Sequence, residues 1–178
     1  SLGFGFITGG TVTFSKRDGN PKPRLFHMKN SRALINSMGF PGEGLQKISN
    51  RLINYNSKSE NVFLSVSGTV EKDIIDCIKK LKNHCKAFEI NISSPNTEGL
   101  KIFHNEDKLN NLILEAKKIT TKPIFIKLPP WAKNNKERDD YLPLAYISIQ
   151  SGAQGLIVAN SKPYPFDKLA VGKGGLSG

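Results

Sequence analysis

Within the seven residues Asn91-Ile92-Ser93-Ser94-Pro95-Asn96-Thr97 the sequence places two amides, three hydroxyls and a proline. An amide side chain offers a donor and an acceptor at once, and a hydroxyl can act as either, so such a segment can grip a polar ligand from several sides. The same residue types also make ordinary polar turns, because Ser, Asn and Pro bond or stiffen their own backbone. Composition leaves both readings open. A second feature is Lys127, which ends the apolar run Ile124-Phe125-Ile126. A charge at that place is costly unless it is paired or has reached solvent beyond the sheet.

Other chemistries have less behind them. His27, His84 and His104 are scattered, and no His/Cys cluster has ligand spacing, so no metal site is expected. Cys77 falls in an amphipathic helical pattern and Cys85 just before a strand. Both are read as reduced thiols at or near the core, not as a disulfide or a redox pair. The formal net charge of +11 raises the question of nucleic acid. Yet 21 lysines against five arginines is the wrong balance for planar phosphate and base recognition, which favours Arg. Lys79-Lys80, Lys82 and Lys117-Lys118 lie on polar helix faces and read as solvated surface, so no nucleic-acid partner is expected. A mild attraction of anionic ligands is a second use of that charge. No apolar run approaches the roughly 20 residues that cross a bilayer, and residues 1–6 lack the pattern of a signal peptide.

The polar residues need elements to hold them. Dense β-rich runs occur at 4–8, 62–66, 87–92, 123–128 and 155–159, the pattern of parallel strands buried on both faces. Helical stripes lie between the later ones. One is Leu45, Ile48, Leu52 and Ile53; another Val70, Ile74, Cys77, Ile78 and Leu81; a third Leu109, Leu112, Ile113, Ala116 and Ile119. A fourth, interrupted by Pro143, covers about 137–150. Thr69 and Asn105 are the expected N-caps of the second and third helices. At or just past the end of each β-run stands a small or polar residue: Thr11, Ser65 and Ser67, Asn91, Lys127, Asn160. Polar ends on five strands fit the mouth of a (β/α)8 barrel, where barrel enzymes carry out their chemistry. An open doubly wound sheet would gather them at one switch point. The expected fold is therefore α/β, a (β/α)8 TIM barrel incomplete as given, with about five of its eight strands. Residues 1–178 are expected to form one partial barrel domain cut at both ends.

Several motifs run through the chain in order. They are Phe4-Gly5-Phe6, Gly10-Thr11-Val12-Thr13, the stretch from Gly19 to Phe26, Leu34-Ile35-Asn36-Ser37-Met38-Gly39-Phe40, and the Asn91 segment. Ile126-Lys127-Leu128-Pro129-Pro130, Ala159-Asn160-Ser161 and Gly174-Gly175-Leu176-Ser177-Gly178 follow. Together, and at this spacing, they resemble the dihydroorotate dehydrogenases.

That resemblance implies an FMN-dependent enzyme that oxidises (S)-dihydroorotate to orotate in pyrimidine synthesis. Ser94 matches the base that takes the C5 proton, while a hydride leaves C6 for the flavin. A serine is a weak base at its ordinary pKa and needs activation by position or a water relay. Asn36, Asn91, Asn96 and Asn160 match substrate-binding asparagines, and an amide suits a pyrimidine edge that alternates acceptors with donors. Ser161 adds a hydroxyl, and Ser37, Met38, Gly39 and Phe40 form the loop beside the substrate. Thr11, Asn91, Lys127, Ala159 and Gly178 match FMN contacts. Ser94, where the soluble enzymes of the family carry cysteine, implies the quinone-reducing class. The intact protein is then expected on the cytoplasmic side, peripherally associated with a membrane, and this stretch alone is expected to be inactive. Alternatives are a related flavin barrel that uses fumarate or NAD as acceptor, a dihydrouridine synthase, or a basic nucleic-acid-binding barrel protein.

Overall fold

The computed structural model describes residues 3–54, 61–93, 99–130 and 135–178. Along the chain run β1 (Ile7–Val12), β2 (Leu25–Met28), β3 (Ala33–Asn36), α1 (Leu45–Asn54), β4 (Val62–Val66), α2 (Glu71–Leu81), β5 (Ala87–Asn91) and α3 (Glu106–Ile119). Then come β6 (Ile124–Lys127), α4 (Asn135–Gln150), β7 (Gly155–Ile157), β8 (Lys162–Pro165) and β9 (Lys173–Ser177).

Strands β1, β4, β5, β6 and β7 pair in that order, all parallel, with α1 to α4 in the crossovers. Order along the sheet follows order along the chain without the reversal that defines a doubly wound sheet. The result is part of a (β/α)8 barrel. Side chains alternate across it. Leu64, Val66, Phe88, Ile90, Ile124 and Ile126 are all but inaccessible and pack with Ile74, Ile78 and Leu81 of α2 and Leu109, Leu112 and Ile113 of α3. The intervening positions face the other way: Phe63 and Ser65, Glu89 and Asn91, Phe125 and Lys127. On that face Phe6, Phe63 and Phe125 stack in a row, with ring centroids 4.4 and 5.4 Å apart, towards the N-terminal ends of the strands. The polar side chains form the next layer, towards the C-terminal ends.

The first strand departs from its expected place. It spans Ile7–Val12 rather than 4–8, and Phe4 and Phe6 are largely exposed. Gly9 and Gly10 hid it, since glycine is depleted from strands. Pairing with β4 nevertheless runs from Ile7↔Val62 to Val12↔Val66, with a bulge-like irregularity after Gly9. Thr11 consequently lies within the strand and not beyond it. The other four strands fall within two residues of their expected bounds.

Two further differences have local causes. Asn105 caps α3, its side chain accepting from the Lys108 amide at 3.0 Å, whereas Thr69 does not cap α2. Val70 occupies that cap position without a side-chain bond, and Glu71 and Asp73 in the first turn supply the favourable negative charge instead. A four-stranded antiparallel sheet in the order β2-β3-β9-β8 also lies outside the sequence expectation. Strand β8 is Lys-Pro-Tyr-Pro and β9 carries Gly174 and Gly175, compositions that argue against strands.

Cys77 and Cys85 are free and buried. Burial pushes the Cys77 thiol up to about 12, helped by Asp73 and Asp76, and the Cys85 thiol up to about 11. Neither presents a thiolate near neutral pH. Among the described residues, no helix is long and apolar enough to cross a membrane.

Candidate functional site

The C-terminal ends of β1, β5 and β6, the end of β3 and the segment after β7 surround a cavity of about 390 Å³. That volume suits a small cyclic ligand. Thr11, Asn36, Asn91, Lys127, Asn160 and Ser161 all line it, together with Gly10 and the Met38–Pro41 segment. Five separate stretches of sequence thus meet in one place.

One hydrogen-bond chain ties the walls together. The Asn91 Oδ1 accepts from the backbone N–H of Ser93 at 3.1 Å and from its hydroxyl at 2.9 Å. The Ser93 Oγ in turn accepts from the Asn160 amide at 3.0 Å, and the Asn160 Oδ1 accepts from the Ser161 N–H at 2.7 Å. Both amide groups are therefore fixed in orientation. Ser161 can lie this close to β9 because Gly175 has no side chain: a Cβ there would fall 1.9 Å from the Ser161 Oγ.

A second chain runs beneath the cavity. The Thr11 and Ser65 hydroxyls are 3.0 Å apart, Ser65 donates to the Glu89 Oε1 at 2.7 Å, and the Lys127 ammonium lies 3.9 Å from the same oxygen. Glu89 is buried, whereas about a quarter of the Lys127 side chain is exposed. Lys127 therefore does not leave the sheet for bulk solvent; it turns into the site with a partner below it.

The loop beside the cavity is fastened from outside. Arg17 and Gly42 exchange two backbone bonds of 2.9 and 2.8 Å, the Asn20 N–H donates to the Met38 carbonyl at 3.0 Å, and the Arg17 Nε donates to the Gly39 carbonyl at 3.3 Å. The Ser37 N–H donates to the Arg24 carbonyl at 2.9 Å. Gly39 has φ 70°, with Asn20 packed where a Cβ would stand, so only glycine fits the turn. Phe40 also holds a left-handed backbone, φ 55°, at a cost on the order of 1 kcal/mol.

Not every expected residue reaches the cavity lining. Ser37 is fully buried and its hydroxyl has no partner among the described residues. Ala159 directly precedes Asn160 without lining the cavity, and Gly178 lies past β9 against Arg32 and Ala33. Ser94 and Asn96 lie outside the described residues. Conversely, the sequence reading did not identify Glu89, Ser93, Arg17 or His104. A carboxylate inside the run Ala-Phe-Glu-Ile-Asn was the available signal for Glu89, because an unpaired charge has no place in a buried strand. The ring of His104 bonds to the Ile92 carbonyl at 2.9 Å and meets Tyr141 edge-on, and burial holds its pKa below the usual histidine range.

The arrangement combines a cation, oriented amides and hydroxyls around one cavity. Such a donor set fits a flat heterocycle rich in acceptors, and it favours one that gains negative charge during a reaction.

Comparison with known proteins gives one consistent result. The sequence model of the family described as dihydroorotate dehydrogenase matches residues 1–178. A dihydroorotate dehydrogenase (quinone) of Novosphingobium aromaticivorans is 36% identical over 99% of the chain and 54% of its own length. One of Sulfurimonas denitrificans is 35% identical over 99% of the chain and 51% of its own length. Among solved structures, ligand-free DHODH from Eimeria tenella superposes with a TM-score of 0.83 at 28% identity, covering 99% of the chain and 58% of that protein. The same enzyme in complex with ferulenol gives 0.82 at 27% identity, with 99% and 57% covered. The chain spans about half the length of the curated relatives it matches.

Proposed function

The chain belongs to the dihydroorotate dehydrogenase family, and we propose that the intact protein oxidises (S)-dihydroorotate to orotate in pyrimidine nucleotide synthesis. The observation that carries this reading is the meeting of Asn36, Asn91, Lys127 and Asn160 around one cavity.

Thr11, Asn91 and Lys127 would hold flavin mononucleotide, with Ala159 and Gly178 as further contacts assigned on resemblance alone. Bound there, the flavin would supply the capacity to accept a hydride. The chain's own residues do the rest. Asn36, Asn91, Asn96 and Asn160 orient the pyrimidine ring by its alternating donors and acceptors, with Ser161 adding a hydroxyl. Ser37, Met38, Gly39 and Phe40 border the substrate, on a loop whose backbone is already fixed. Ser94 receives the proton from C5. Residues 1–178 act as part of one barrel domain.

For the electron acceptor we favour a quinone, which is what the names of the relatives specify for those proteins. A quinone dissolved in a bilayer would bring the intact protein into peripheral contact with the cytoplasmic face of a membrane.

The test is anaerobic mixing of the purified intact protein with dihydroorotate. The bound flavin should bleach, and a short-chain quinone should restore its colour faster than fumarate or NAD does. A flavin that stays oxidised would refute the activity. Faster recovery with fumarate or NAD would refute only the acceptor.

A further inference from the structure

We propose that Glu89, buried beneath the cavity, is a positioning residue that sets the charge and hydrogen-bond polarity of the flavin site. This inference rests on the flavin reading given above. Glu89 stands in the middle of β5 between Phe88 and Ile90, which enter the helix-covered core, and it is only 5% exposed itself. A buried carboxylate is costly, and an apolar side chain at such a position is usually as stable or more so. Stability gives no reason for an acid here.

Its contacts do. Ser65 is its register partner on β4, and Lys127 reaches it diagonally from β6, where Lys127 itself stands opposite Asn91. Ser65 has a single hydroxyl proton, and that proton goes to Glu89. The 3.0 Å contact with Thr11 therefore has one possible direction: Thr11 donates and Ser65 accepts. Thr11 consequently turns only lone pairs towards the cavity. On the other side Glu89 tethers the Lys127 ammonium and offsets part of its positive field. One buried charge thus orients two cavity-lining groups.

Two isosteric or near-isosteric variants test this in the intact protein, by equilibrium reduction of its flavin against a reference dye. Glu89→Gln keeps the shape and an acceptor oxygen for Ser65 but removes the charge. The ratio of reduced to oxidised flavin at a fixed potential should rise about tenfold, about 30 mV for a two-electron couple. Glu89→Asp keeps the charge on a shorter stem and should stay within about threefold of the native ratio. A purely structural role reverses that order, because Asp disturbs the packing more than Gln does. An unchanged ratio in Glu89→Gln, an equal shift in both variants, or a Glu89→Gln chain that fails to fold would each overturn the proposal. Absence of flavin from the native protein would instead count against the proposed function itself.

Discussion

Replacing Ser94 by alanine should leave orotate affinity nearly unchanged while slowing dihydroorotate-driven flavin reduction about 10²-fold or more. A general base acts in the transition state, so its loss is read in the rate of the chemical step and not in ground-state binding. Ser93 supplies the control. Its hydroxyl donates to the Asn91 carboxamide oxygen, which cannot pass a proton on, and accepts from Asn160, so its role is to hold the two amides. Ser93→Ala should therefore loosen both amides and weaken orotate binding, the opposite division of effect. Ser94→Cys is sharper still: a thiol ionises nearer neutral pH and is a good acceptor once ionised, so partial activity with a displaced pH profile is expected. Stopped-flow mixing separates these outcomes. Reduction as fast in Ser94→Ala as in the native enzyme would remove Ser94 from the chemistry.

Lys127→Met should slow flavin reduction by about 10²-fold and shift the flavin equilibrium towards the oxidised form, the reverse of Glu89→Gln. Lys127 is the one charged side chain lining the cavity among the described residues. A cation beside an electron-accepting ring stabilises the negative charge that reduction places there, and methionine keeps the stem without the charge. The substitution also leaves Glu89 with Ser65 as its remaining partner among the described residues. Removing one member of a fully buried pair costs about 3–5 kcal/mol. Lys127 is about a quarter exposed, so the loss should be smaller, and thermal unfolding would show it as a modest drop. Fluorescence titration with FMN should show weaker binding as well. Native kinetics and native affinity together would place Lys127 outside the flavin site.

The sequence revealed those parts of the molecule in which one residue type has few options. Runs such as Ile124-Phe125-Ile126 have no stable place but a covered strand, so the parallel sheet could be read almost to its ends. Asn91, Lys127 and Asn160 could be read because a polar residue closing such a run needs a reason. Glu89 stands out in its run by the same reasoning, but its two partners could not be named, because they are far off in sequence and become neighbours only through strand register: Ser65 is 24 residues away. Strands β8 and β9 were hidden by their prolines and glycines, which local propensity assigns to loops. Ladder bonds from β9 to β3 and from β8 to β9 overrule that preference. The start of β1 was misplaced for a related reason: Phe4 and Phe6 look like strand material, while Gly9 and Gly10 do not.

The clamp on the Met38–Pro41 segment has a kinetic meaning. Many enzymes let a loop next to the substrate swing aside at each turnover, and that swing often limits the overall rate. Here the segment is stitched at Arg17, Asn20, Arg24 and Gly42 to a neighbouring stretch that does not itself line the cavity. Opening it would break several backbone bonds at once, so the amide protons held in those bonds, on Arg17, Asn20, Ser37 and Gly42, should exchange slowly with solvent. A wall built this way is no door.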